Sequence, residues 1–175
     1  MDEKTVSSEI VYSGRAVNLR VDTIQTADGR VTTREIVEHP DCVAVVAVDA
    51  NDNILMVRQY RKSVGKELLE IPAGGIEPGE TPEAAVEREM REETGMQPRR
   101  IVKLGGFYSS PGFCTEYLHL YLVSDMINNP LVAEDTMGIE ICPFRKDEIQ
   151  KLIASGQICD SKTIAGLLVY LNIGK

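Results

Sequence analysis

Three glutamates, Glu89, Glu92 and Glu93, stand at i, i+3 and i+4 in a run that reads as helix. At that spacing their carboxylates project from nearly one face. Like charges so placed cost a helix about 0.2–0.5 kcal/mol per pair, and folding alone offers no return for them. A hard divalent cation does. Mg²⁺ or Mn²⁺ takes carboxylate oxygens and keeps positions open for water and phosphate. Arg88, four residues before Glu92, offsets part of the charge. The chemistry open to such a stripe is to hold metal against a pyrophosphate.

The helix is marked by its own residues. Thr81 suits the N-cap and Pro82 the first helical position. Glu83 lies in the first turn, where negative charge suits the dipole, and Gly95 suits the end. Val86 and Met90, four apart, are expected to face a core. The wider stretch Gly74 to Met96 follows the pattern G-x5-E-x7-R-E-U-x-E-E-x-G-U, with U apolar. A solvated acidic face would explain the helix but not Gly74, Glu80 and Gly95 at fixed offsets. The stretch resembles the Nudix box at every fixed position.

The composition bounds the rest. At 175 residues one domain is expected, with room for a small N-terminal extension. Hydrophobic residues make up 43% of the chain, enough for a core, and the apolar run Val43 to Val48 is strand length rather than membrane length. A net charge of -8 argues against nucleic acid as partner. An acidic chain that handles phosphate must supply positive charge locally, through metal ions and a few placed arginines. Cys42, Cys114, Cys142 and Cys159 form no CxxC pair, and the two histidines are His39 and His119, so a zinc site is not expected. Buried free thiols in a reducing compartment are expected instead. No signal or transit peptide opens the chain, so a cytoplasmic location is expected, with no membrane partner.

Strands are expected over Ile10–Leu19, Leu19–Gln25 and Val31–Val37, the last two joined by a hairpin at Asp28-Gly29. Cys42–Val48 reads as a strand buried on both faces, followed by Ile54–Tyr60 and an extended Lys66–Ile71. Beyond the acidic helix come strands over Ile101–Tyr108, Tyr117–Ser124 and Ile139–Phe144. Helices are expected over Lys146–Ser155 and Ser161–Leu171, the latter capped by Asp160 or Ser161. Strands and helices interleaved without regular alternation suggest an α/β fold with a mixed sheet. The resemblance implies a Nudix-type α/β/α sandwich, with an N-terminal antiparallel strand extension over 1–40 for dimerisation and nucleotide contact and the hydrolase domain over 41–175.

Other segments resemble the ADP-ribose pyrophosphatase branch of that superfamily, from about Tyr12 to Leu171. They are Arg34-Glu35-Ile36-Val37-Glu38-His39-Pro40, Val57-Arg58-Gln59-Tyr60-Arg61, Glu67 to Gly75, Ser110-Pro111-Gly112-Phe113-Cys114-Thr115-Glu116, and Gly156 to Leu168, the last expected to pack the final helix. The resemblance implies that Arg34 and Glu35 contact the nucleotide, across a dimer interface, and that Arg61 approaches the phosphates. Guanidinium matches phosphate oxygens better than lysine does. It implies metal ligands at Glu89, Glu92, Glu93 and the Ala73 carbonyl, with Glu70 either binding metal or holding a loop. Pro111, sixteen residues beyond Gly95, marks ADP-ribose enzymes, and Glu116 is implied to contact the terminal ribose.

The pattern frays late in the chain. Where the branch carries an acidic loop, this chain has Ala133-Glu134-Asp135-Thr136-Met137-Gly138. Met137 is neither a base nor a hard-metal ligand, so the general base is left among Glu134, Asp135, Glu92 and Glu93. The adenine-stacking aromatic is also missing near Arg15, whose guanidinium plane could stack instead. The implied reaction is Mg²⁺- or Mn²⁺-dependent hydrolysis of ADP-ribose to AMP and ribose 5-phosphate by a homodimer. The alternatives are another nucleoside diphosphate sugar or dinucleotide as substrate, or a non-catalytic ADP-ribose-binding module.

Overall fold

β4 (Cys42–Val48) is the strand around which the larger unit of the molecule is built. The computed structural model describes residues 3–133 and 138–173. In β4 every residue from Cys42 to Ala47 is buried. Side chains alternate across a strand, so a strand apolar at every position must have cover on both faces. Cys42, Ala44 and Val46 point into one core with Ile149, Leu167 and Leu171. Val43, Val45 and Ala47 point into a second with Ala85, Val86 and Met90. The three-layer arrangement follows. α1 (Pro82–Thr94) covers one face, and α2 (Ile149–Ala154) and α3 (Ser161–Asn172) cover the other. Gly166 lets α3 lie close to the sheet, because a Cβ there would come 2.8 Å from Ile71 Cδ1 and 3.0 Å from Leu120 Cδ1.

The sheet is mixed. Its order is β10 (Glu140–Arg145), β5 (Asn53–Arg61), β4, β9 (Tyr117–Asn128), β8 (Met96–Tyr108). β9 runs parallel to β4 from Cys42 opposite Leu118 to Ala47 opposite Val123. On its other edge β4 divides its partners. Ala47 and Val48 pair with β5, whereas Cys42, Val43 and Ala44 pair with the short β7 (Ala73–Gly75). β6 (Lys66–Glu70) pairs antiparallel with β5, with Arg61 opposite Lys66. This splitting delivers the Ala73-Gly74-Gly75 backbone to the flank of α1.

The residues fall into two compact units. The one just described holds Cys42–Phe107 and the residues from Leu118 on. The other holds the residues up to Asp41 together with Tyr108–Tyr117. It contains the antiparallel meander β1 (Lys4–Ser13), β2 (Asn18–Gln25), β3 (Val31–Glu38). The 110–116 loop is stitched to the end of β3. The Val37 amide donates to the Phe113 carbonyl at 2.7 Å, and the Thr115 amide to the Val37 carbonyl at 3.0 Å. Thr115 Oγ1 accepts from the His39 amide at 3.0 Å.

Several element bounds differ from expectation. The first strand begins at Lys4, not Ile10, and ends at Ser13. All ten residues of β1 are exposed, so no buried face imposes an alternating pattern. β8 begins at Met96, ahead of Pro98, since a proline near a strand's start costs little of the ladder. α2 is shorter than 146–155 because residues 146–148 form a turn, closed by the Glu148 amide on the Arg145 carbonyl at 3.0 Å. Of the cysteines, Cys42 and Cys142 are buried, but Cys114 is half-buried and Cys159 exposed, so the expectation of buried thiols holds for two of four. No helix among the described residues is long and apolar enough to cross a membrane.

Candidate metal and pyrophosphate site

α1 begins and ends as its caps dictate. Thr81 accepts from the Ala84 amide at 3.2 Å, and Gly95 takes a left-handed conformation at φ 70°. Val86 and Met90 are fully buried, which fixes the rotation of the helix and turns Glu89 and Glu93 toward β7. Gly74 makes that approach possible, because a Cβ there would fall inside the Glu89 carboxylate. Glu93 Oε2 accepts from the Ala73 amide at 3.2 Å.

Arg88 organises the carboxylates. Nε and one Nη2 bond run to the two oxygens of Glu80, both at 3.0 Å. Nη1 reaches Glu89 at 2.6 Å and Glu92 at 3.2 Å, and Nη2 also reaches the Gly75 carbonyl at 2.7 Å. Glu80 is itself fixed by the Glu77 amide at 3.0 Å. The hydrogen bonds from Arg88 hold the Glu80 carboxyl below the usual range, and those same bonds raise the arginine further. The fixed offsets of Gly74, Glu80, Arg88 and Glu89 thus have one physical basis: together they build the cradle.

Gln59, Arg61, Ala73, Gly74, Gly75, Glu89, Glu93 and Ile139 line an open pocket of about 330 Å³. Burial, and then the neighbouring Glu89, push the Glu93 carboxyl up to about 8. The Ala73 amide, Arg61 and Lys162 pull the other way without offsetting that rise. The Gln59 Oε1 is buried without a hydrogen-bond partner among the described residues. Two carboxylates crowded around such a pocket fit a divalent cation, with Glu89, Glu93 and the Ala73 carbonyl as candidate ligands and Glu92 beside them.

Arg61 lines the pocket, its Nε and Nη2 bound to the two oxygens of Glu70 at 2.8 and 2.7 Å. Glu70 is 1% exposed and also accepts from Lys162 Nζ. Burial pushes its carboxyl up, but the bonds from Arg61 and Lys162 outweigh this and hold it below the usual range. Both Glu70 oxygens are therefore engaged by cations of the chain itself. The sequence gives no sign of this link, since Lys162 lies far along the chain from Glu70, in a segment expected only to pack the last helix.

The other expected contacts lie in the N-terminal unit. Arg34, on β3, pairs with Glu3, and Glu35 is its exposed neighbour. Arg15 is exposed in the β1–β2 turn. Pro111 and Glu116 belong to the loop stitched to β3, where Glu116 Oε1 lies 3.7 Å from His39 Nδ1. The unit thus brings together two of the segments read as substrate contacts. Glu134 and Asp135 lie outside the described residues.

Residues 38–160 match the family model described as NUDIX domain. The chain belongs to the Nudix family. Residues 3–37 ahead of the Nudix domain match a second model, the nucleoside diphosphate sugar hydrolase N-terminal domain. The chain is 35% identical to an ADP-ribose pyrophosphatase of Bacillus subtilis (strain 168), over 99% of this chain and 94% of that one. It is 39% identical to a methanol dehydrogenase activator of Bacillus methanolicus, over 98% and 94%. An ADP-ribose pyrophosphatase of Mycobacterium tuberculosis (strain ATCC 25618 / H37Rv) is 36% identical, over 95% and 82%. A crystal structure of an ADP compounds hydrolase superposes with a TM-score of 0.89 at 17% identity, covering 97% of this chain and 92% of that one, and so shares the fold.

Proposed function

We propose that the protein hydrolyses the pyrophosphate bond of ADP-ribose to AMP and ribose 5-phosphate, with Mg²⁺ as its cofactor and Mn²⁺ as a substitute. The observation that carries this reading is the carboxylate cradle: Glu93, driven up to about 8 by burial and Glu89, lines a pocket with Glu89 and Arg61. Near-full-length similarity to ADP-ribose pyrophosphatases supports the choice of substrate.

Glu89 and Glu93 would hold the metal, with Glu92 and the Ala73 carbonyl assisting. When bound, the ion lends positive charge to the diphosphate and lowers the pKa of water. Arg88 keeps the Glu89 and Glu92 carboxylates in register. Arg61 donates to a non-bridging phosphate oxygen and stabilises charge that builds there. A water oxygen attacks one phosphorus in line, the bridging P–O bond breaks, and a carboxylate takes the water's proton. That base is Glu92 or Glu93, or one of Glu134 and Asp135. Arg34, Glu35 and Arg15 contact the nucleotide, and Pro111 and Glu116 the terminal ribose. The enzyme works as a cytoplasmic homodimer, a compartment that suits its four free thiols.

The test is a panel of ADP-ribose, other nucleoside diphosphate sugars and dinucleotides at fixed Mg²⁺, with products separated by chromatography. ADP-ribose is expected to show the highest kcat/KM and to yield AMP. Glu93→Gln is expected to lose about a hundredfold or more in turnover without losing the fold. A wild-type protein that leaves ADP-ribose intact, or a Glu93→Gln variant with unchanged turnover, overturns the reading.

A further inference from the structure

Among the described residues, Arg61 uses one edge of its guanidinium. Nε and Nη2 are bound to Glu70, and Nη1 has no hydrogen-bond partner among the described residues. That edge belongs to a residue lining the pocket with Glu89 and Glu93. The direction of the free edge is therefore set by whatever fixes Glu70. Glu70, at the end of β6, is almost wholly buried, and it accepts from a second cation, Lys162 Nζ.

Lys162 is fixed in turn. It donates to Asp160 Oδ2 at 2.9 Å. Asp160 caps α3 through the Thr163 amide at 3.0 Å and accepts from Thr163 Oγ1 at 2.6 Å. The same Thr163 oxygen accepts from the Ile71 amide at 3.0 Å, one residue beyond Glu70. The first turn of α3 is thus buttoned to the end of β6 from two sides. A carboxylate needs only one bidentate arginine for its own neutrality. Burying a second cation against it gives little net stability, since desolvation opposes the Coulombic gain. Such a network serves geometry better than it serves stability.

Building on the proposed hydrolysis, we propose that Lys162 and Glu70 are positioning residues for that reaction: the first turn of α3 holds Glu70, and Glu70 aims the free edge of Arg61 at the diphosphate. Neither residue touches the reacting atoms. Both act through Arg61, and the catalytic groups on α1 are thereby coupled to a helix on the opposite face of the sheet.

The experiment is a double-mutant cycle on ADP-ribose hydrolysis with Mg²⁺, using Lys162→Met, Arg61→Met and the pair. Lys162→Met is expected to lower kcat by about tenfold or more, the cost of a misplaced charge-stabilising group, with KM changed by less than about threefold. In the Arg61→Met background the same change is expected to have no further effect on kcat, because the group it positions is gone. A purely structural lysine would instead lower kcat by the same factor in both backgrounds. That result, or an unchanged kcat in the single variant, overturns the inference. If Lys162→Met does not fold, Lys162→Gln carries the same cycle; its amide can bond one partner, Glu70 or Asp160, in place of two. Wild-type protein inactive on ADP-ribose would instead defeat the underlying reading, and the wild-type rate tells that failure apart from failure of the inference.

Discussion

Arg88 has five N–H donors, and among the described residues it makes five hydrogen bonds, to Glu80, Glu89, Glu92 and the Gly75 carbonyl. A lysine, with three donors and no planar fork, could not span the same acceptors. Glu93 is not among those acceptors, and its carboxyl rises to about 8, with burial the leading cause and Glu89 the second. The consequence for stability has a definite sign. Unfolded, this carboxyl titrates near 4.5; folded, it keeps its proton until about 8. Across that window the folded state holds a proton the unfolded state has lost, so stability falls as pH rises from 4.5 to 8. In EDTA, the melting temperature of wild type relative to Glu93→Gln is expected to decline from pH 5 to pH 8. Parallel profiles for the two proteins would show that Glu93 is not held protonated.

Among the elements, β7 has the largest consequence for its length. It is three residues long, yet it lines the pocket with Ala73 and Gly74 and carries the Gly75 carbonyl to Arg88. Gly74→Ala must push the Glu89 carboxylate away from its seat. The expected outcome is a folded protein with weakened metal affinity and turnover down by about tenfold or more, read by calorimetric metal titration and by rate. Retained affinity would mean that Glu89 has another working position. β4 and α1 were legible in the sequence because each carries a strong physical pattern: apolar on both faces for β4, capped at both ends for α1. β7 was not, since two of its three residues are glycine and its pairing depends on a strand thirty residues earlier. β1 hid its first six residues because an exposed strand leaves no alternation to read. The box residues were legible by spacing along one helix. Lys162 was not, because its link to Glu70 exists only after α3 packs on the sheet.

For the molecule as a whole, the charge of -8 poses a problem for binding a diphosphate. The described site answers it with Arg61, Lys162 and Arg88, and a divalent ion would supply the rest. The N-terminal meander exposes Val6, Ile10, Val11 and Tyr12 on a single strand. An apolar strand left open in this way suits the homodimer proposed above. Sedimentation is expected to give about twice the 19.3 kDa chain mass at micromolar protein, and a single-chain mass would refute that assembly. The central claim is that one turn of α1 holds a divalent cation. Manganese answers it most directly, because the resonance of the free ion disappears on binding. Titrated at pH 8, wild type is expected to deplete the free Mn²⁺ signal, and Glu89→Gln and Glu93→Gln to leave it close to the protein-free control. Equal depletion by all three proteins would contradict the account.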